Sequence, residues 1–380
     1  MKWETYKLKQ LCSEIVDCVN KTAPTSDVPT PYKMLRTSDI REGKINLENL
    51  NCVTKEVYEK WTRRGKLQKG DVIFTREAPL GEVGLVREEK NYFLGQRLVL
   101  FRANNKMCDG RFLMYSLLWH ENKQAIISKG VGSTVAHLRV PECENIEIKV
   151  PDLDVQHRIA DILSAYDDLI ENNQKQIKLL EEAARRLYKE WFVDLRFPGH
   201  ENTKIVDGVP EGWSRGLLKE LISVNYGKDH KKAPDDGNIP VYGSGGLMRK
   251  CNKSLFSGEA VLIPRKGSLN NIMYVDETFW TVDTMFYATM KQPHTAVFVY
   301  FFVKAFDMYS MNIGAAVPSM TAKILDAMDV VIPDKETLEK FDKREKVYFN
   351  KIKTLHGQNE RLKTARDLLL PKLMSGEVKV

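Results

Sequence analysis

The sequence lacks the features that would indicate a secreted, zinc-stabilised or membrane protein. Its six cysteines lie apart at positions 12, 18, 52, 108, 143 and 251, and no two form a Cys-x-x-Cys pair. This spacing argues against a disulfide framework and against a structural zinc site, and it favours a reducing compartment. No apolar run approaches the roughly 20 residues that a membrane span requires. We therefore expect a cytoplasmic protein without a transmembrane segment.

Motifs for catalysis are also missing. There is no Pro-Pro dipeptide, which excludes the Asn/Asp-Pro-Pro-aromatic loop of an amino-methyltransferase, and there is no Walker phosphate-binding loop. The glycine-rich "VYGSGG" at 241–246 contains no lysine, so we interpret it as a flexible contact loop. The seven histidines occur singly, without partners at metal-ligand spacing. We expect no catalytic residue, no metal site and no cofactor bound by this chain.

What the sequence does contain is an internal repeat. "GSTVAHLRVPECENIEIKVPD" begins at Gly132, and "GAAVPSMTAKILDAMDVVIPD" begins at Gly314 with the same order of small, apolar and Pro-Asp positions. Upstream, "GDVIFTREAPLGEVGLV" (70–86) resembles "GEAVLIPRKGSLNNIMYV" (258–275), with an arginine after an apolar strand in each. The repeat predicts two similar domains in one chain.

Each repeat ends in a long segment that is rich in Leu, Glu, Lys, Arg and Gln, which predicts a helix from about Leu153 to Phe192 and another from about Lys335 to Leu373. Apolar residues recur at alternating steps of four and three, the spacing of a coiled coil. The predicted seam consists of Tyr166, Ile170, Asn173, Ile177, Leu180, Ala184, Leu187 and Trp191 in the first helix and of Tyr348, Ile352, Leu355, Asn359, Leu362, Leu369 and Leu373 in the second.

Each seam holds one asparagine, and the two positions are symmetric within the repeat. An antiparallel helix pair would bring Asn173 and Asn359 face to face, and it would place Trp191 against Phe341. A buried asparagine fixes the register of such a pair, because a slipped register leaves its amide unpaired. The alternative is that each helix packs only on its own domain.

The predicted fold class is α+β, with two globular mixed α/β domains separated and held apart by two long helices. We divide the chain into a first domain (1–151), a first long helix (152–198), a second domain (199–333) and a second long helix (334–380). A helix of about 38 residues is roughly 57 Å long, and successive major-groove faces on one side of B-DNA repeat about every 34 Å. Two domains at opposite ends of such helices would suit two separated DNA half-sites.

The charge of the two domains differs. Residues 1–151 carry 25 basic and 19 acidic side chains, whereas residues 199–333 carry 14 of each. A purely electrostatic case for nucleic acid is therefore weak in the second domain. We expect its lysines and arginines to cluster on one face.

Several stretches give the chain a resemblance to a known family. They include "HRIADILSAYDDLIENNQKQIKLLEEAARRLYKEWFVDLRFPG", "DGVPEGW" (207–213), "GNIPVYGSGGL" (237–247), "FWTVDTMFYA" (279–288) and "LLLPKLMSGEV" (368–378). Over nearly its full length the chain resembles the specificity subunit of type I restriction–modification systems.

The resemblance implies a non-catalytic subunit whose two domains are target recognition domains. Each would bind one half of a bipartite, asymmetric site in double-stranded DNA. The helices would set the spacing and bind two adenine methyltransferase subunits, and motor-nuclease subunits would join the full complex. S-adenosylmethionine, ATP and magnesium would then belong to the partner subunits. A competing hypothesis is a non-catalytic helical scaffold that binds proteins or another polymer.

Candidate DNA-contacting residues follow from the chemistry of bases and phosphates. Arginine suits guanine, asparagine or glutamine suits adenine, and lysine, serine and threonine suit phosphates. The candidates are Arg36, Thr37, Arg63, Arg64, Arg76, Gln96, Arg97, Ser133 and Thr134 in the first domain and Lys228, Lys231, Tyr242, Ser244, Arg265, Lys266, Ser268, Thr284 and Ser319 in the second. For each of them, a solvated surface role is the alternative. Arg76 and Arg265 occupy matching places in the repeat.

Overall fold

Two compact units make up the chain. The computed structural model describes residues 2–132, 136–311 and 318–380. One unit comprises Met1–Asn173 and Gly357–Val380, and the other comprises Gln174–His356. Each unit therefore contains one mixed α+β globule and a part of each long helix. Within the described ranges, no helix is both long and apolar enough to cross a membrane.

In its described residues, the first globule is built from short strands that form one four-stranded, one three-stranded and two two-stranded sheets. Its elements are β1 (Glu4–Lys7), α1 (Leu8–Leu11), β2 (Cys12–Asp17), β3 (Lys33–Leu35), β4 (Ile40–Arg41), β5 (Lys44–Ile45), β6 (Asn51–Cys52), α2 (Lys55–Trp61), β7 (Val72–Thr75), β8 (Val83–Leu85), β9 (Tyr92–Leu94), β10 (Leu98–Ala103), α3 (Gly110–Leu118), α4 (His120–Ser128), α5 (Val140–Glu144) and β11 (Glu147–Val150). The larger sheet has the order β2-β10-β7-β8, and β3 lies between β6 and β9. Helix α3 buries Phe112, Leu113 and Tyr115 against the larger sheet.

After β11 the chain enters the first long helix, α6 (Leu153–Tyr188), which continues as one π-helical turn over Lys189–Val193. The second globule follows with β12 (Ile205–Val206), β13 (Val209–Pro210), β14 (Ser214–Leu217), β15 (Ile222–Tyr226), β16 (Ile239–Gly243), β17 (Gly246–Cys251), β18 (Phe256–Pro264), β19 (Met273–Thr281), β20 (Met285–Met290), α7 (Ala296–Lys304), α8 (Ala322–Asp326), β21 (Asp329–Ile332) and the second long helix, α9 (Lys335–Met374).

The repeat in the sequence is a repeat in topology. The order β15-β20-β18-β19 in the second globule matches β2-β10-β7-β8 in the first. In each globule a strand near its beginning pairs antiparallel with the strand before the long helix, β1 with β11 and β14 with β21. The apolar "TAVFVYFFVKAF" forms α7, whose residues from Ala296 to Phe301 are buried.

The long helices begin at equivalent caps. The carboxylate of Asp152 accepts a hydrogen bond from the Val155 N–H (3.1 Å), and that of Asp334 accepts one from the Thr337 N–H (2.9 Å). Such a carboxylate satisfies an amide that has no partner within the first turn of a helix. The repeated Pro-Asp pair is thus the start signal of both helices. Helix α9 continues through Gly357 and Pro371.

In the first unit, the two helices run antiparallel and share polar contacts. The Asn173 side-chain amide donates to the Asn359 side-chain oxygen over 2.9 Å, and both residues are buried. Nearby, the Arg366 guanidinium and the Tyr115 hydroxyl both bind Asp167, at 2.5 and 2.6 Å. The two asparagines therefore meet as their symmetry in the sequence predicts.

In the second unit, the helices pack through apolar and aromatic side chains. Ile177, Ile352 and Leu355 form one buried cluster with Leu180 against it. The Trp191 and Phe341 rings lie 5.7 Å apart between centroids. None of the predicted seam residues is fully exposed in the structure.

A buried acidic residue of α9 interrupts this apolar pattern. Glu345 is fully buried, and neither of its carboxylate oxygens has a hydrogen-bond partner. Burial raises the pKa of its carboxyl group to about 8. Leu163 is the equivalent residue of the first helix in the repeat and is buried as well. An acidic residue thus occupies a leucine position.

Candidate nucleic-acid interface

In the second unit, the loop after β18 is held by its neighbours through the backbone. The Arg265 N–H donates to the Thr284 carbonyl (2.8 Å), and the Arg265 carbonyl accepts from the Met320 N–H (2.9 Å). The Gly267 N–H donates to the Pro318 carbonyl at 3.3 Å. The segments 265–271, 283–284 and 318–320 are therefore mutually anchored.

The turn between β16 and β17 joins the same group of loops. The Asn271 side-chain amide donates to the Ser244 carbonyl over 2.9 Å. A Cβ atom added at Gly267 would lie 2.8 Å from the Ser244 hydroxyl, so glycine allows this close approach. We call the segments 243–246, 265–271, 283–284 and 318–320 the second loop cluster.

The side chains of the second loop cluster are mostly polar, and several are solvent-accessible. Lys266 and Ser268 are exposed, whereas Ser244, Thr284 and Ser319 are half-buried. The Arg265 guanidinium lies 5.6 Å from the centre of the Tyr226 ring, and one of its nitrogens donates to the Asp283 carbonyl (3.3 Å). This cation–π contact holds the arginine at the surface while leaving further donors for a ligand.

Three other predicted residues belong to neighbouring segments of the same unit. Lys228 and Lys231 are exposed in the loop after β15, and the Asp229 carboxylate caps this loop by accepting from the Lys231 N–H (3.0 Å). Tyr242 is half-buried, and its hydroxyl donates to Glu277 over 2.5 Å. Burial and this hydrogen bond raise the pKa of Tyr242, so the phenol stays protonated.

The first unit has an equivalent set of loops. The Arg76 N–H donates to the Arg97 carbonyl (2.8 Å), and the Arg76 carbonyl accepts from the Leu138 N–H (3.0 Å). These two bonds correspond to those of Arg265 with Thr284 and Met320. The Thr22 hydroxyl donates to the Gln96 side-chain oxygen at 3.0 Å. We call the segments 76–78, 95–97 and 137–138 the first loop cluster.

The matching arginines have different surroundings. The Arg76 side chain is only 17% exposed, and it donates to Asp17 (3.1 Å) and to the Leu138 carbonyl (3.2 Å). Among the residues that the structure describes, no carboxylate forms an ion pair with Arg265, and its guanidinium stacks on an aromatic ring instead. Arg76 therefore braces the first loop cluster, whereas Arg265 has donors to offer to a ligand.

The remaining candidates of the first unit lie on three other segments. Arg36 forms a bidentate pair with Asp39 (2.8 and 3.0 Å) just before the short 3₁₀ turn that Thr37 begins. Arg63 and Arg64 are exposed after α2, and Arg64 donates to the Cys18 carbonyl at 3.0 Å. Ser133 and Thr134 lie outside the described residues.

Sequence reasoning did not identify every side chain near these loops. Tyr226, Asn271, Leu247 and Met248 stand on or beside the second loop cluster and were not among the candidates. The one signal near them was the glycine-rich "VYGSGG" at 241–246, which predicted a contact loop in this segment. Among the residues that the structure describes, no three His, Cys, Asp or Glu side chains are grouped so that they could hold a metal ion.

Comparisons with known proteins agree on one family. The family described as "Type I restriction modification DNA specificity domain" matches residues 1–182 and 210–364. The specificity subunit of the type I restriction enzyme MjaIX from Methanocaldococcus jannaschii is 25% identical, over 82% of this chain and 78% of its own. The putative MjaX specificity subunit of the same organism is 24% identical, over 100% and 94%.

A solved structure shares the fold. The S subunit of a type I restriction–modification system from M. genitalium aligns with a TM-score of 0.65 at 19% sequence identity, and the alignment covers 98% of this chain and 96% of that one.

Proposed function

Because the chain belongs to the family of type I restriction–modification DNA specificity domains, we propose that it is the DNA-recognition subunit of such a system. Each globule binds one half of a bipartite, asymmetric site in double-stranded DNA. The observation that supports this most is the pair of equivalent loop clusters, anchored by matching backbone hydrogen bonds at Arg76 and at Arg265. Two copies of one binding scaffold with different loop side chains suit two different half-sites.

The loop chemistry indicates how each half-site is bound. Arg265 presents a guanidinium of the kind that pairs with the O6 and N7 atoms of guanine. Lys266, Ser268 and Lys228 are exposed donors for phosphates, which fix the position of a domain on DNA. In the first domain, Gln96 and Arg97 hold the corresponding place before β10. Base readout is thus assigned to the loops, while the strands provide a rigid support.

The long helices serve spacing and assembly in this proposal. Their exposed faces carry charged residues such as Glu181, Arg185 and Arg186, together with the exposed leucines Leu169 and Leu179. Such mixed faces suit the binding of two adenine methyltransferase subunits, with motor-nuclease subunits added in the full complex. S-adenosylmethionine, ATP and magnesium would be bound by those partners, and the complex would work in the cytoplasm. The chain itself is non-catalytic.

Sequencing the DNA methylation of a host tests this proposal. The host carries the chain together with the methyltransferase subunit encoded beside it, and the control host carries the methyltransferase alone. We expect a new split adenine-methylation motif that is lost when the chain is removed. A soluble, assembled complex that produces no motif would contradict the proposal and would favour a scaffold that binds proteins or another polymer.

A further inference from the structure

The hairpin of β16 and β17 exposes two adjacent apolar side chains. Leu247 is 60% exposed and Met248 is 54% exposed. Leu247 pairs with Tyr242, whereas Arg249 pairs with Val241, so Met248 is the additional residue of a β-bulge. A bulge redirects side chains and bends its strand. These two residues are therefore presented outward at the end of the hairpin.

The end of the hairpin projects into open space, but its base is fixed. A Cβ atom added at Gly245 or Gly246 would meet no atom within 4 Å. The Ser244 carbonyl is held by Asn271, which belongs to the second loop cluster. On the opposite strand, the Arg249 guanidinium binds Asp235 and donates to the Ala233 carbonyl at 2.7 Å. The apolar pair thus stands on an ordered support.

The surroundings of the apolar pair are rich in exposed lysines. Lys250 follows it on the same strand, and the loop that Arg249 contacts includes Lys231 and Lys232, all three exposed. The same loop also carries three acidic residues: Asp235 pairs with Arg249, Asp229 accepts from the Lys231 N–H, and Asp236 is exposed. Lysines are depleted in protein–protein interfaces, whereas they are the common partners of phosphates. An apolar pair with a lysine rim therefore fits DNA better than a protein partner.

We propose that Leu247 and Met248 form an apolar wedge that inserts at a base step of the half-site bound by the second domain. This inference rests on the proposed function. Apolar side chains inserted between base pairs unstack and kink the duplex, while nearby basic residues hold the backbone. Because pyrimidine–purine steps unstack most easily, the wedge favours such a step in or beside this half-site. It adds specificity without hydrogen bonds to base edges.

Fluorescence of 2-aminopurine tests the wedge. The probe base is placed in turn at each position of the second half-site other than the methylated adenine, in a duplex bound by the complex of the full chain and its methyltransferase. The test variant is L247S/M248S. The control is I205S/V206S, which changes an equally exposed apolar pair of β12 in the same unit. Both variants alter exposed side chains, so both should fold.

We expect the wild-type complex and the control variant to raise the fluorescence at one step, which marks unstacking. L247S/M248S should abolish this rise and weaken binding about ten- to a hundredfold, comparable to the loss of one base contact. The dependence of affinity on salt should stay the same, because the phosphate contacts remain.

Other outcomes would overturn the wedge. If L247S/M248S shows wild-type fluorescence and affinity, the wedge is wrong while the DNA-binding role stands. If this variant instead loses the methyltransferase, the pair is a protein-binding surface. If the wild-type complex shows no sequence-dependent binding, the proposed function itself has failed.

Discussion

Replacing the buried Glu345 by leucine should change how the stability of the second unit depends on pH. The carboxyl group has no hydrogen-bond partner, and burial raises its pKa from the ordinary value of 4.5 to about 8. Between these two values the folded chain holds a proton that the unfolded chain releases, so stability falls as pH rises. The loss is about 1.4 kcal/mol per pH unit and reaches about 5 kcal/mol above pH 8.

Leucine is a suitable replacement because Leu163 occupies the equivalent position of the first helix. The E345L variant lacks the titrating group, so its stability advantage over wild type should grow by about 5 kcal/mol between pH 4 and pH 9. This growth does not depend on how well leucine packs, because packing contributes equally at every pH. All other titrations are common to both proteins and cancel in the difference.

Urea denaturation followed by far-UV circular dichroism at pH 4, 6, 7.5 and 9 measures this difference. E360Q provides the control, since Glu360 lies on the same helix but is exposed. The control should follow wild type at every pH. If the difference between E345L and wild type stays constant across the range, Glu345 is not a neutral, desolvated carboxylic acid.

Two further predictions concern the helix pair and the arginines. N173A should destabilise the first unit by about 1–3 kcal/mol, because it leaves the buried amide of Asn359 unpaired. In a double-mutant cycle, N173L/N359L should lower the free energy of unfolding by less than the sum of the losses from N173L and N359L. R76A should lower the thermal unfolding temperature more than it lowers affinity for the cognate DNA, whereas R265A should do the reverse. Unfolding scans and binding titrations of both arginine variants check this, and equal behaviour would contradict the different roles assigned to them.

Much of the architecture could be predicted because it rests on local patterns. The composition and the spacing of apolar residues predict both long helices to within a few residues, and the structure shows that the repeated Pro-Asp pairs cap them. The sequence repeat likewise predicts two globules with equivalent strands. The contact of Asn173 with Asn359 followed from their symmetric positions, because a buried amide needs a partner.

Side-chain surroundings were less predictable, since they depend on residues distant in the sequence. Arg76 and Arg265 occupy equivalent positions in the repeat, yet it is Arg76 that forms an ion pair with Asp17. The burial of Glu345 was hidden by its charge, which usually indicates an exposed helix face. The exposure of Leu247 and Met248 could not be predicted, because it depends on the register of the hairpin and on the bulge at Met248. These sites depend on tertiary contacts and not on periodicity.

The most direct test of the central claim is an exchange of the first domain. Residues 1–151 are replaced by the corresponding segment of another specificity subunit with a known motif, and the methylated motif of the host is sequenced. We expect one half of the split motif to change, while the other half and the gap between the two halves stay the same. A change in both halves, or an unchanged motif from an assembled complex, would contradict it.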